Sequence, residues 1–120
     1  MLTEAQEQQK VFNWALVSEG RFPELKFMFH IPNGGSRNKA EAANLRRQGV
    51  KPGVPDIFLP APRGNYHGLW IEMKVGKNKT TAYQNTYIDY LNGSGYRAAV
   101  CYGADEAIRV ITEYLNYENL

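Results

Sequence analysis

Apolar residues recur along the chain with two periods, and the switches between them mark out the elements. In TEAQEQQKVFNWALVSEG (residues 3–20), Val11 and then Trp14 or Ala15 repeat at helical spacing; Thr3 and Gln6 fit a capping box and Gly20 closes the segment. LKFMFHIP (25–32) reads as a strand ended by Pro32. NGGSRNKAEAANLRRQG (33–49) reads as a glycine turn, Ser36 as N-cap, and a short basic helix stopping at Gly49. VKPGVP is a connector stiffened by two prolines. DIFLPAP (56–62) gives a short strand, RGNYHG a turn, and GLWIEMKV (68–75) a second strand. After the basic loop GKNK, TTAYQNTYIDYLNGSG (80–95) predicts a helix with Thr81 and Gln84 as a second capping box and Gly93 or Gly95 as the stop. YRAAVCYG is strand-like, and ADEAIRVITEYL (104–115) is an amphipathic helix carrying Ala107, Ile108, Ile111 and Leu115.

This order of elements predicts an α/β layered domain with a mixed central sheet of about four strands flanked by helices. The sheet is mixed because the two central strands can form a hairpin, whereas the last strand follows a helical crossover. With 120 residues and no linker-like stretch, one domain over 1–120 is expected. Hydrophobic residues at 43% and charged residues at 22% place the chain among ordinary globular proteins. The formal net charge of +2 suits a polyanionic partner without demanding one. The lone Cys101 excludes an intrachain disulfide and any zinc site built from several thiolates; lying in the apolar run AAVCY, it reads as a buried, inert thiol. MLTEAQEQQK lacks the basic-then-apolar order of a signal peptide, and no apolar run reaches membrane-spanning length, so a cytoplasmic protein without membrane contact is expected.

Charge inside an apolar strand is the unusual feature. In GLWIEMKV, Leu69, Ile71, Met73 and Val75 share one face, and Trp70, Glu72 and Lys74 the other. Residues two apart on a strand lie roughly 6.7 Å apart, close enough for Glu72 and Lys74 to address one small site. Asp56 opens the strand across the hairpin and can join them. Two converging carboxylates repel and tend to hold a proton unless a cation compensates. A hard divalent ion such as magnesium suits those oxygens, and with a nearby ammonium the set suits phosphodiester hydrolysis. The tripeptide Glu-x-Lys alone is better explained by a surface ion pair on a solvated face; Pro-Asp before a short strand, with Glu-x-Lys in the next, is much rarer.

Pro55-Asp56 followed by Glu72-Met73-Lys74 resembles the PD-(D/E)xK nuclease signature. HIPNGGSR, LRRQGVKPGVPDIFLP, LWIEMKV and TTAYQNTYIDYLNGSGY, in that order, are similar to the VRR-NUC branch of that superfamily, in its phage-type stand-alone form, from about Glu4 to Ile108. The resemblance implies a restriction-endonuclease-like core, Mg2+ dependence with Mn2+ as a substitute, DNA as substrate, and a homodimer acting on branched DNA such as four-way (Holliday) junctions. It assigns metal ligation to Asp56, Glu72 and the Met73 carbonyl, and the catalytic ammonium to Lys74. It also implies a carboxylate from the N-terminal helix, for which Glu7 is preferred over Glu4; both share a face with Val11, and both also suit a helix N-terminus for its own sake. Gln84 matches the family's glutamine on the following helix, although the capping box explains it without chemistry.

Arg37, Lys39, Arg46, Arg47 and Lys51 form one basic cluster, and Lys77 and Lys79 another beside the presumed site. Either these are solvated faces or they hold phosphates flanking the scissile one. Asn33 to Arg37 can receive a phosphate on backbone amides or simply turn the chain. His30 and His67 lack ligand spacing and read as a packed and a turn histidine. Tyr83, Tyr87 and Tyr90 can stack on bases, or serve a core or an interface. VGKNKTT is not a Walker loop, because the required glycine five residues before Gly76 is Ile71. The sequence thus points to a metal-dependent DNA endonuclease; the alternatives are a non-cleaving DNA-binding module of the same fold and an assembly protein using its tyrosines.

Overall fold

The hairpin expected after the proline-rich connector forms the centre of the sheet. Strands β2 (Ile57–Leu59) and β3 (Leu69–Lys74) pair antiparallel, with Ile57 opposite Ile71 and Leu59 opposite Leu69. The computed structural model describes residues 1–32 and 38–118. Strand β1 (Phe29–His30) adds antiparallel to β2, and β4 (Arg97–Tyr102) adds parallel to β3, giving the order β1-β2-β3-β4. The parallel pair is made possible by helix α3 (Ala82–Gly93), which crosses between β3 and β4. The sheet is therefore mixed and four-stranded, as its sequence predicts.

Helices α1 (Glu4–Val17) and α4 (Ala104–Leu115) pack together on one face of the sheet. Their apolar stripes, Val11 and Ala15 from α1 and Ala107 and Ile111 from α4, meet Leu69, Ile71 and Met73 in one buried cluster. Both predicted capping boxes form: Thr3 with Gln6 starts α1, and Thr81 with Gln84 starts α3. Helix α2 (Lys39–Arg47) is capped by Asn38, whose Oδ1 accepts the Glu41 N–H at 2.7 Å, rather than by Ser36. Ser36 and the turn it belongs to lie outside the described residues. None of the helices described is long and apolar enough to cross a membrane.

Residues 25–32 depart from expectation. Pro23–Phe27 is a 3-10 helix, and only Phe29 and His30 are strand. Pro23 presets the first helical turn, and burial then falls on Leu25 and Met28, three residues apart, as in a 3-10 turn. Phe27 and Phe29 stay exposed, so the alternating apolar pattern here does not mark a buried strand face.

Tyr114 of α4 is 1% exposed, and its hydroxyl donates to the Ala61 carbonyl at 2.7 Å. Tyr114→Phe leaves that carbonyl unpaired in the core and is expected to cost about 1–2 kcal/mol. Thermal unfolding, with the melting temperature down by several degrees, is the measurement.

Candidate active site

Strand β3 carries an apolar face and a charged face, and both are covered. Leu69, Ile71 and Met73 are sealed by α1 and α4, while on the other side Gln84 of α3 reaches Glu72, and Glu72 is 2% and Lys74 7% exposed. A solvated surface ion pair is thereby ruled out for Glu72 and Lys74. Lys74 Nζ lies 3.8 Å from Glu72 Oε2. The same oxygen accepts a hydrogen bond from Gln84 Nε2 at 3.1 Å. Gln84 simultaneously completes the capping box, its Oε1 accepting the Thr81 N–H at 2.9 Å. Helix cap and site contact are two ends of one amide.

Asp56 reaches the pair from the hairpin. One step beyond the Ile57–Ile71 rung, the β2–β3 register sets it alongside Glu72. Its Oδ2 accepts the Met73 N–H at 2.7 Å, while its backbone carbonyl accepts the Ile31 N–H at 2.7 Å and meets His30 Nδ1 at 2.8 Å. A carbonyl only accepts, so Nδ1 of His30 carries the proton there. Pro55, just before Asp56, has no N–H with which to extend the ladder toward Met73. In an antiparallel ladder a residue's N–H and C=O face the same neighbour, so the Met73 carbonyl lies on Asp56's side.

Burial raises Glu72 first, and the neighbouring Asp56 carboxyl adds to it, with a smaller contribution from Glu4; Lys74 opposes them, and the outcome is a carboxyl pushed up to about 8. Its second oxygen, Oε1, is buried with no hydrogen-bond partner among the described residues. A buried carboxyl oxygen without a partner is costly, and the cost is relieved by a proton held against Asp56 or by a cation.

Glu4 and Glu7, one turn apart on α1, have different tasks. Glu7 Oε1 accepts the Ala104 N–H at 3.0 Å, capping α4 where Gly103 has no side chain to do so. Glu4 instead lines a cleft of about 330 Å3 together with Ala5, Gln8, His30, Pro32, Asp56 and Met73. Its Oε2 also accepts from Asn78 Nδ2 at 3.1 Å. Of the two, Glu4 lines the cleft with Asp56 and Met73, whereas Glu7, preferred from the sequence, caps α4. His30, expected to be packed, is exposed and forms a cleft wall. It stands 26 residues before Asp56, so nothing local in the sequence announces the contact.

The donor set suits a hard cation. Asp56 and Met73 line the open cleft, and Glu72, with one oxygen lacking a partner among the described residues, lies buried beside Asp56. Among the described residues no three His, Cys, Asp or Glu side chains group tightly enough to hold a metal by themselves. The fit is thus to an ion that retains waters, as magnesium does, and not to a caged one. Cys101 takes no part: it is fully buried and its thiol is pushed up to about 12 by desolvation.

The cations divide by position. Lys77 and Lys79 are exposed on either side of Asn78, which ties their loop to Glu4 at the cleft. Arg46 and Arg47 are exposed in the last turn of α2, Lys39 begins that helix, and Lys51 follows on the connector. Arg37 lies outside the described residues. His67 packs edge-on against Tyr96, and Tyr83 and Tyr90 are largely exposed on α3.

A family model, the VRR-NUC domain, matches residues 2–105. A solved structure described as a VRR_NUC domain protein superimposes with a TM-score of 0.85 at 36% identity, covering 99% of this chain and 93% of that one. No curated protein matches.

Proposed function

The chain belongs to the VRR-NUC domain family, whose members are generally nuclease domains, and from that premise we propose a divalent-metal-dependent DNA endonuclease that hydrolyses phosphodiester bonds. The observation that carries the proposal is Glu72: a buried carboxyl group with one oxygen lacking a hydrogen-bond partner among the described residues, set beside Lys74 and beside Asp56, which lines the open cleft. Asp56, Glu72 and the Met73 carbonyl would hold Mg2+, or Mn2+ in its place. Such an ion polarises a phosphoryl oxygen and lowers the pKa of a bound water.

The chain's own residues supply the rest. Lys74 donates hydrogen bonds toward the attacking water and offsets charge building on the phosphate. Gln84 holds Glu72 Oε2 in place, and Ile31 and His30 hold the Asp56 main chain. Glu4 borders the cleft as a further carboxylate within reach of retained waters. Lys77, Lys79, Arg46, Arg47, Lys51 and Arg37 are assigned to phosphates flanking the scissile one. The proposal includes a homodimer selective for branched DNA, four-way junctions among them; its support is the resemblance of the sequence.

Labelled duplex, single-stranded, flap and four-way-junction DNA, incubated with Mg2+, Mn2+ or EDTA, test it. Wild-type protein is expected to cut only with metal, and Lys74→Ala to lower kcat by about 10²–10³-fold. Asp56→Asn is expected to remove cutting and metal response together. Cutting that survives EDTA, or both substitutions, overturns the mechanism. Binding without cutting under every metal favours the non-cleaving module.

A further inference from the structure

A second chamber opens beside the catalytic cleft, and we propose that it receives a nucleobase of the strand being cut, next to the phosphate at Asp56 and Glu72. The inference rests on the nuclease function proposed above and narrows its substrate class. The chamber is lined by Ile31, Val50, Val54 and Tyr87, with Gln48 and Lys51 bordering it. Its volume is about 380 Å3, within the range of small-ligand sites.

Three of the walls are tied to the neighbouring site. Ile31 donates its N–H to the Asp56 carbonyl at 2.7 Å, Val54 lies two residues before Asp56, and Pro32 borders both spaces. Tyr87 follows Gln84 by three residues in α3, which places the two about 5–6 Å apart on adjoining parts of one helix face. Gln84 in turn touches Glu72. A group seated against Tyr87 is therefore a single nucleotide's reach from a phosphate at the carboxylates.

The lining matches a base rather than another occupant. An aromatic ring with aliphatic neighbours gives stacking that every base accepts. The Gln48 amide both donates and accepts, as the edge of a base requires. Exposed Arg46 and Arg47, in the turn before Gln48, favour a polyanionic strand over an apolar peptide. A paired base cannot enter such a pocket, so the nucleotide must be unpaired or flipped. The substrate class is then DNA with an unstacked nucleotide beside the cut.

Fluorescence anisotropy in EDTA, where cutting does not intervene, provides the test. The probes are a labelled single-stranded oligothymidylate and an abasic strand with the same number of phosphates. Wild-type protein is expected to bind the thymidylate about tenfold more tightly. Tyr87→Ala should lose most of that preference and keep its affinity for the abasic strand, while Tyr87→Phe keeps both. Val54→Phe, which fills the chamber, should lose the preference by a second route if Tyr87→Ala does not fold. Equal binding of the two strands by wild type overturns the proposal, as does an undiminished preference in both Tyr87→Ala and Val54→Phe. Failure of the nuclease function reads differently, as no cutting of any DNA under any metal while the base preference persists.

Discussion

Glu72→Gln is expected to abolish cleavage and, in the same protein, to raise the melting temperature of the metal-free form at pH 8. The wild-type side chain is 2% exposed and sits beside Asp56. Desolvation, then Asp56, raises its pKa from the ordinary 4.5 to about 8. Between those values the folded chain binds a proton that the unfolded chain releases. Metal-free stability is therefore fullest below the unfolded value and is lost as pH rises through the folded one. Every tenfold gain in proton affinity on folding corresponds to about 1.4 kcal/mol, so at the alkaline end of the window the loss amounts to a few kcal/mol. Glutamine stays neutral throughout and can still accept from Gln84, which removes the penalty. It cannot supply the charge a cation needs, and turnover should fall by at least about 10³-fold, the scale of losing a principal electrostatic stabiliser. Thermal unfolding in EDTA from pH 5 to pH 9 reads the first effect. Added Mg2+ should stabilise wild type most at the alkaline end and leave the variant nearly unmoved. A variant that melts below wild type at pH 8, or that still cuts within about tenfold of it, contradicts the assignment.

That combination of charge and burial is only half legible in the sequence. Strand periodicity places Glu72 and Lys74 on one face, and the hairpin order brings Asp56 beside them, because both follow from local geometry. Whether the face meets water or protein is decided by tertiary contacts rather than by β3. The same limit explains Gln84, for which cap and site contact are rivals in the sequence and the two ends of one amide in the fold. Glu4 and Glu7 cannot be separated by spacing, since either shares a face with Val11. What separates them is α4: it begins at a glycine cap, and Glu7 supplies the missing acceptor to Ala104. The 25–32 segment misleads for a related reason, its alternating phenylalanines being outweighed by the burial of Leu25 and Met28. The sequence shows which residues carry charge and how each strand alternates; distant helices decide which of those groups are enclosed.

Gly53→Ala should be the most damaging substitution outside the catalytic groups. Gly53 adopts φ +89°, and a Cβ there would lie 2.5 Å from the Tyr83 carbonyl carbon and oxygen and 3.0 Å from the Gln84 nitrogen. All three are backbone atoms in the first turn of α3, so no side chain can swing aside. Nor can the connector easily yield, because Pro52 and Pro55 fix their own φ on either side. Relief must come from moving α3, and Gln84 then leaves Glu72 while Asp56, three residues from Gly53, shifts with the connector. The expected cost is roughly 3 kcal/mol or more, combining a left-handed conformation unsuited to alanine with overpacking. At a temperature where the variant is still folded, cleavage should fall by about tenfold or more, the effect of a small misplacement of the reacting groups. Gly49→Ala provides the comparison: Gly49 has φ +104° and no atom within 4 Å of an added Cβ, so it carries the dihedral penalty alone, about 1–2 kcal/mol. If the two variants melt together, the backbone contact between connector and α3 is not what sets the distance between Gln84 and Glu72. If Gly53→Ala melts well below Gly49→Ala and loses cutting while folded, the connector is the spacer that keeps the two acids and their amide in register.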